Sequence, residues 1–425
     1  MKFISTRGEA NKASASEAIL QGLAPDGGLY VPEQLPPLDP KALDPGLSYP
    51  ETARRVLHPF FEGDVLEAEL PMLCDSAFSF PVPLRYLEEE KAVLELFHGP
   101  TAAFKDFGAR FLAYSMEHLQ REAEEELTIL VATSGDTGGA VAAAFFKRRG
   151  IKVRVLFPEG RVSARQHKQL TCWGENVQSY SVRGSFDDCQ RLVKEAFVSS
   201  EVRKIHRLSS ANSINLGRLL PQVAYYVYAA ARFLDRTGKK PVVVIPSGNV
   251  GNSMGAYYAA AMGAPIARIV LAVNANRVIP DYLDSGTYRP RPSVATLANA
   301  MDVGDPSNME RLRHHFSNFQ DFKNHVSAIS VSDEEIRESI RLTDRQYSYP
   351  LCPHTAAGEH VRRTRLTGEP SIVVATAHPA KFETIVEPII HREVEVPENL
   401  AALLDSESRY SSIDPELEQL FPELV

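Results

Sequence analysis

Short apolar runs rich in β-branched residues, each closed by a small polar turn and followed by helical spacing, constrain this chain most. LTILVAT (127–133) runs into the turn Ser134-Gly135-Asp136, and a small-residue helix is expected from Gly138. IKVRVLF (151–157), ended by Pro158, predicts the next strand, and a helix at 163–173 leads to VQSYSV (177–182). Ser185 and Asp188 form a capping box, after which Cys189, Leu192, Val193, Ala196 and Phe197 recur on one helical face. The pattern returns after a long helix at 216–235. PVVVIP (241–246) meets the turn Ser247-Gly248-Asn249, a helix runs to about Met262, and IARIVLAV (266–273) follows. Ser332 and Glu335 box the start of a helix to about Gln346, and SIVVAT (371–376) predicts the last buried strand. Strands alternating with helices in this way specify parallel sheets covered on both faces.

The expected architecture is α/β, with two parallel-sheet lobes and a cleft between them. Residues 1–95 are read as an N-terminal cap, marked by Pro32, Pro36, Pro37, Pro40 and Pro45, with helical pieces at Ser14–Gln21 and Ser48–Leu57. The first lobe is assigned 96–236 and the second 237–395, with an acidic tail at 396–425. The stretch 275–325 is irregular and is left open as a lid or an interface.

Composition narrows the class of ligand. The 425 residues carry 46 Lys+Arg against 54 Asp+Glu, a net charge of −8. A dedicated nucleic-acid binder needs a basic face, so no nucleic-acid partner is expected. A small anion in a locally positive pocket is compatible with that balance. Cys74, Cys172, Cys189 and Cys352 form no C-x-x-C pair, and they read as reduced thiols of a cytoplasmic protein. The first residues hold no apolar signal core and no apolar run approaches a membrane span, so no membrane partner is expected. No H-E-x-x-H or similar cluster is present, so no catalytic metal is expected.

Five segments carry candidate chemistry. TSGDTGG (133–139) and PSGNVGN (246–252) each link an apolar strand to a helix, and TAHPAKF (376–382) is a variant without glycine. Ligands of parallel sheets sit at the carboxyl ends of strands, where glycine exposes backbone N–H groups and a helix start adds positive potential. PSGNVGN is therefore a phosphate cradle, or else a plain tight turn. In FHGPTAAFKDFG (97–108), Lys105 stands among Phe104, Phe107 and alanines. Desolvation lowers a lysine pKa and suits Schiff-base chemistry; the alternative is a side chain snorkelling to water. SANSINLGR (210–218) gathers Asn212, Ser213, Asn215 and Arg218 before the long helix, as an oxyanion site or a helix-cap cluster. A phosphate cradle plus a reactive lysine suits pyridoxal 5'-phosphate (PLP), whose ring acts as an electron sink.

Together these segments resemble threonine synthases of the branch with a long N-terminal extension. The matching pieces are ISTRG (4–8), DGGLYVP (26–32), ELFHGPTAAFKDFG (95–108), TSGDTGGA (133–140), SANSIN (210–215), PSGNVGN (246–252), NAMDV (299–303), PHTAAG (353–358) and ATAHPAKF (375–382). The resemblance implies a fold-type II PLP enzyme, similar to the tryptophan synthase β chain. It implies conversion of O-phospho-L-homoserine and water to L-threonine and phosphate. By the same resemblance Lys105 is the Schiff-base lysine, and Gly248, Asn249, Val250, Gly251 and Asn252 hold the PLP phosphate. Family members often carry Phe at the Val250 position and Asp at the Asn252 position; backbone donors survive both changes. Thr376 matches the hydroxyl near the pyridine nitrogen. Thr133, Ser134, Asp136 and Thr137 match the loop facing the substrate's amino-acid end, and Asn212, Ser213 and Arg218 match the set binding its phosphate. His98, His354 and His378 are read as hydrogen-bonded structural residues. Two alternatives stay open, a phospho-lyase of the same fold that makes 2-oxobutyrate and a non-catalytic PLP binder. The oligomeric state, monomer or homodimer, is also open.

Overall fold

The computed structural model describes residues 1–133 and 135–424. An antiparallel ribbon of β1 (Phe3–Ser5) and β2 (Tyr30–Pro32) opens the chain. β3 (Leu84–Glu88) and β4 (Lys91–Glu95) form a hairpin. β5 (Leu127–Ala132), β6 (Ile151–Pro158), β7 (Val177–Val182) and β8 (Arg207–Ser210) then alternate with helices. β9 (Val242–Pro246), β10 (Arg268–Val273), β11 (Ser327–Ser330) and β12 (Ser371–Ala375) do the same, and β13 (Ser411–Ile413) closes the series.

Two sheets result. One has the order β13-β7-β6-β5-β8 and is parallel throughout. The other has the order β11-β10-β9-β12-β4-β3, and only the edge strand β3 runs antiparallel. Strands β5, β9 and β12 are buried along their whole length, as strands covered on both faces must be. The capping boxes at Ser185 and Ser332 form as their sequences predict.

The sheets do not follow the linear segments. The β3–β4 hairpin falls inside the segment read as an N-terminal cap, yet β4 pairs with β12 in the six-stranded sheet. β13, from the acidic tail, pairs with β7 in the five-stranded one. The 275–325 stretch is less irregular than its sequence suggests, with helices at Val278–Ser285, Met309–His315 and Phe319–His325.

One apolar core joins the N-terminal segment to helices Lys105–Leu119, Leu216–Thr237 and Gly251–Met262 through Phe60, Phe107, Tyr225 and Met254. A second lies behind the six-stranded sheet, around Val93, Val244, Ile336 and Val373. A third covers the five-stranded sheet, where Leu130, Leu156 and Leu192 pack with Leu420 and Phe421 from the tail. The parallel pairing puts the loops after β4, β9 and β12 at one sheet edge, and those after β5 and β8 at one edge of the other. Candidate site residues all come from these loops or the helices that follow.

Candidate active site

Lys105 is the first residue of the helix Lys105–Leu119, reached by the loop that leaves β4. Asp106 braces that loop: Thr101 Oγ1 donates to its Oδ1 at 2.6 Å and Thr101 N to its Oδ2 at 2.9 Å. Phe104 N donates to Thr376 O at 2.8 Å, which ties the lysine loop to the end of β12. Gly108 sets the depth of the lysine. A Cβ there would stand 2.6 Å from Arg218 O, so only glycine lets this helix rest on Leu216–Thr237 at the residue carrying Arg218. Burial pushes Lys105 down to about 8; Asp136 opposes the shift, while Arg218 and Lys381 add to it.

Asp136 starts the helix Asp136–Phe145 after β5. Its Oδ1 meets Lys381 Nζ at 2.9 Å and accepts from Gln166 Nε2 at 3.2 Å. Burial raises its pKa, but the Lys381 and Lys105 ammonium groups outweigh that and hold the carboxyl well below its usual range. Lys381 is 1% exposed and also donates to Thr101 O at 2.8 Å. It thus joins the lysine loop, the start of the helix after β5 and the turn after β12. The Thr133 hydroxyl is engaged within its own loop, accepting from Gly135 N at 3.0 Å and Gly138 N at 2.9 Å. Thr137 is half-buried in the same helical turn. Ser134 lies outside the described residues.

The loop after β8 brings Asn212, Ser213 and Arg218 to the same place. Arg218 is buried, donates through Nη1 to Ala211 O at 2.8 Å, and keeps Nε without a partner among the described residues. Burial pushes its pKa down to about 10, against the pull of Asp106. Asn215 turns out structural: it caps the long helix at Gly217 N and donates to Ile19 O and Ser210 O.

The loop after β9 meets this set directly, as Asn249 Nδ2 donates to Ser213 Oγ at 2.6 Å. Gly248 is required by crowding, since a Cβ would stand 2.6 Å from Met301 Cα in the NAMDV segment. Val250 has φ 65, a left-handed conformation that is strained for a β-branched residue and caps the start of the helix Gly251–Met262. The first-turn N–H groups of that helix have no intrahelical acceptor and carry its positive end. Asn252 turns its amide oxygen to Tyr226 Oη at 2.6 Å and to Tyr225, leaving its buried Nδ2 without a partner among the described residues. Its side-chain oxygen is thus committed to the long helix, while Nδ2 and the backbone N–H stay with the loop.

The three histidines all have protein partners. His98 pairs with Glu95 at 2.7 Å, His378 Nδ1 accepts from Ala380 N at 3.2 Å, and His354 Nε2 accepts from Ala300 N at 3.1 Å. Among the described residues no group of three or more His, Cys, Asp or Glu is placed to hold a metal. Among the described residues no helix is long and apolar enough to cross a membrane.

A half-buried amine of lowered pKa, a strained glycine loop at a helix start, and the unpartnered donors Arg218 Nε and Asn252 Nδ2 fit a cofactor with an aldehyde and a phosphate. Lys381 and Gln166 escaped the sequence reading. Lys381 carried a usable signal, because PAKF sets a lysine between apolar residues as AAFKDF does. Gln166 carried none.

Known proteins show the same pattern. Residues 82–376 match the family described as "Pyridoxal-phosphate dependent enzyme". Residues 2–78 match "Threonine synthase N terminus" and 354–421 match "Threonine synthase, C-terminal". A threonine synthase of Haemophilus influenzae is 38% identical over 428 residues, covering 100% of this chain and 98% of that one. The crystal structure of PLP-bound threonine synthase from Brucella melitensis superposes with a TM-score of 0.92 at 36% identity, covering 100% and 98% of the two chains. A PLP-dependent aspartate racemase, 14% identical with a TM-score of 0.53 over 72% of this chain and 93% of that one, shares the fold alone.

Proposed function

The chain belongs to the threonine synthase family of PLP-dependent enzymes, and from that premise we propose that it converts O-phospho-L-homoserine and water to L-threonine and phosphate through Lys105. The observation that carries the reading is the position of Lys105, whose ammonium burial disfavours between Asp136, Arg218 and Lys381. An amine that loses its proton near neutral pH can take one from carbon and return it.

PLP, when bound, supplies the electron sink that makes a proton next to the substrate's amine acidic. The residues of the chain divide the remaining work. Lys105 holds the cofactor at rest and moves protons at the substrate α- and β-carbons once its amine is freed. Gly248, Asn249, Val250, Gly251 and Asn252 hold the cofactor phosphate through backbone N–H groups and the helix start. Thr376 would hold the ring nitrogen through its hydroxyl. Thr133, Ser134, Asp136 and Thr137 receive the amino-acid end of the substrate, and Asp136 stays ionised there because Lys381 pairs with it. Asn212, Ser213 and Arg218 take the substrate phosphate, and the Arg218 charge stabilises the group as it departs from the γ-carbon. The γ-carbon gains a proton in place of the departing phosphate, water adds at the β-carbon, and a proton returns to the α-carbon.

A cytoplasmic setting belongs to the same proposal, supported by four cysteines that are all free. Lys105→Ala tests the reading. The variant is expected to lose both the visible band of lysine-bound PLP and threonine formation. Persistence of both would remove Lys105 from the reaction.

A further inference from the structure

Asn308 precedes the short helix Met309–His315 and is fully buried. Chemistry fixes which way its amide points. Arg311 Nη1 lies 2.8 Å from the amide oxygen, and a guanidinium only donates, so the atom facing it is Oδ1. Arg311 is itself fully buried, and donates to Tyr30 O at 3.0 Å and Ile214 O at 2.6 Å. It therefore ties the N-terminal ribbon and the 210–218 loop to Asn308.

Asn308 Nδ2 is left on the opposite side, with no partner among the described residues. It lies against the first residue of the helix Gly251–Met262. A Cβ on Gly251 would stand 3.3 Å from Nδ2 and 3.8 Å from Ser213 Cβ. Next to Asn308, Ser307 N donates to Asn249 Oδ1, so residues 307 and 308 clasp the same loop. A fully buried amide donor without an acceptor is costly unless a ligand completes it.

We propose that Asn308 is a cofactor-binding residue whose Nδ2 donates to the phosphate of PLP at the 248–252 loop, with Arg311 as its positioning residue. The assignment rests on the reading of that loop as the cofactor-phosphate cradle. It adds a second side-chain donor, beside Asn252 Nδ2, to a site built mainly from backbone.

Apoenzyme titrated with PLP, and separately with pyridoxal, tests it through the visible band of the lysine-bound cofactor. Asn308→Asp keeps an acceptor for Arg311 and the side-chain volume, but turns a donor into a lone pair. Its Kd for PLP is expected to rise at least about ten-fold, while pyridoxal, which lacks the phosphate, binds as it does to the unaltered protein. Asn308→Ala, which removes the donor without adding charge, is expected to show a smaller loss of the same selectivity. Thermal unfolding of each apoenzyme establishes that it is folded. Unchanged PLP affinity, or an equal loss for PLP and pyridoxal, overturns the assignment while the cradle reading stands. If the unaltered apoenzyme gains no band with PLP, the cradle reading falls, and the assignment with it.

Discussion

Two lysines do different work in one site. In the proposed role Lys105 would react only as the neutral amine, and burial brings its pKa down to about 8. The rate at which apoenzyme captures PLP should therefore rise with pH and level off above about 8. A rate still climbing towards the ordinary lysine value, about 10.4, would contradict the burial account. The same shift has a sign for stability. Between its folded and unfolded values the unfolded chain binds more protons, so stability contributed by Lys105 rises with pH across that window. Lys381 instead keeps Asp136 ionised. Lys381→Met leaves a buried carboxylate unpaired, which should cost about 3–5 kcal/mol in urea unfolding. The double variant with Asp136→Asn should recover most of that stability and none of the activity; a single variant as stable as the parent would show the pair to be incidental. Lys105 was legible in sequence because apolar neighbours make a lysine conspicuous. Asn308 and Arg311 were not, because their partners Tyr30, Ile214 and Gly251 are brought to them only by folding.

Helices and strands position these residues through glycines at crossing points. Gly108→Ala would drive a Cβ to 2.6 Å from Arg218 O, forcing the two helices apart. We expect a loss of about 1–3 kcal/mol in stability and a raised KM for substrate, because Arg218 moves with its helix. An unaltered KM would mean that this crossing does not set the Arg218 position. The central strands β5, β9 and β12 were legible as nearly continuous apolar runs between turn residues, since both faces are buried, and β6 and β10 as apolar runs that admit Lys152, Arg154 and Arg268. Strands β8, β11 and β13 were not. RLSS, SAIS and SSI sit at sheet edges, where half-exposed positions need no apolar run. The β3–β4 hairpin was missed for a related reason. β3 is only partly covered, and its charged turn reads as loop. The site loops survived this uncertainty because they follow the buried strands, which are the ones with the clearest signal.

At the scale of the molecule, the chain crosses between its lobes more often than a linear reading allows. The C-terminal tail is part of the first lobe: Arg154 pairs with Glu423 at 2.6 Å and donates to Leu420 O, and Phe421 is fully buried in the third core. A chain ending at residue 410 should therefore unfold at a clearly lower temperature and expose 127–210 to protease first; an unchanged midpoint would make the tail dispensable. The net charge of −8 belongs to the whole chain, whereas Lys105, Lys381 and Arg218 gather at the candidate site, where Lys381 meets the buried Asp136. That contrast is physical, because burial selects cations only where anions meet them. The central claim is that this cleft cleaves the carbon–oxygen bond to phosphate and adds water at the neighbouring carbon. Incubation of the holoenzyme with O-phospho-L-homoserine in ¹⁸O-labelled water tests it directly. The account predicts L-threonine carrying the label in its β-hydroxyl and phosphate free of label. Labelled phosphate with homoserine, or 2-oxobutyrate without threonine, would contradict it.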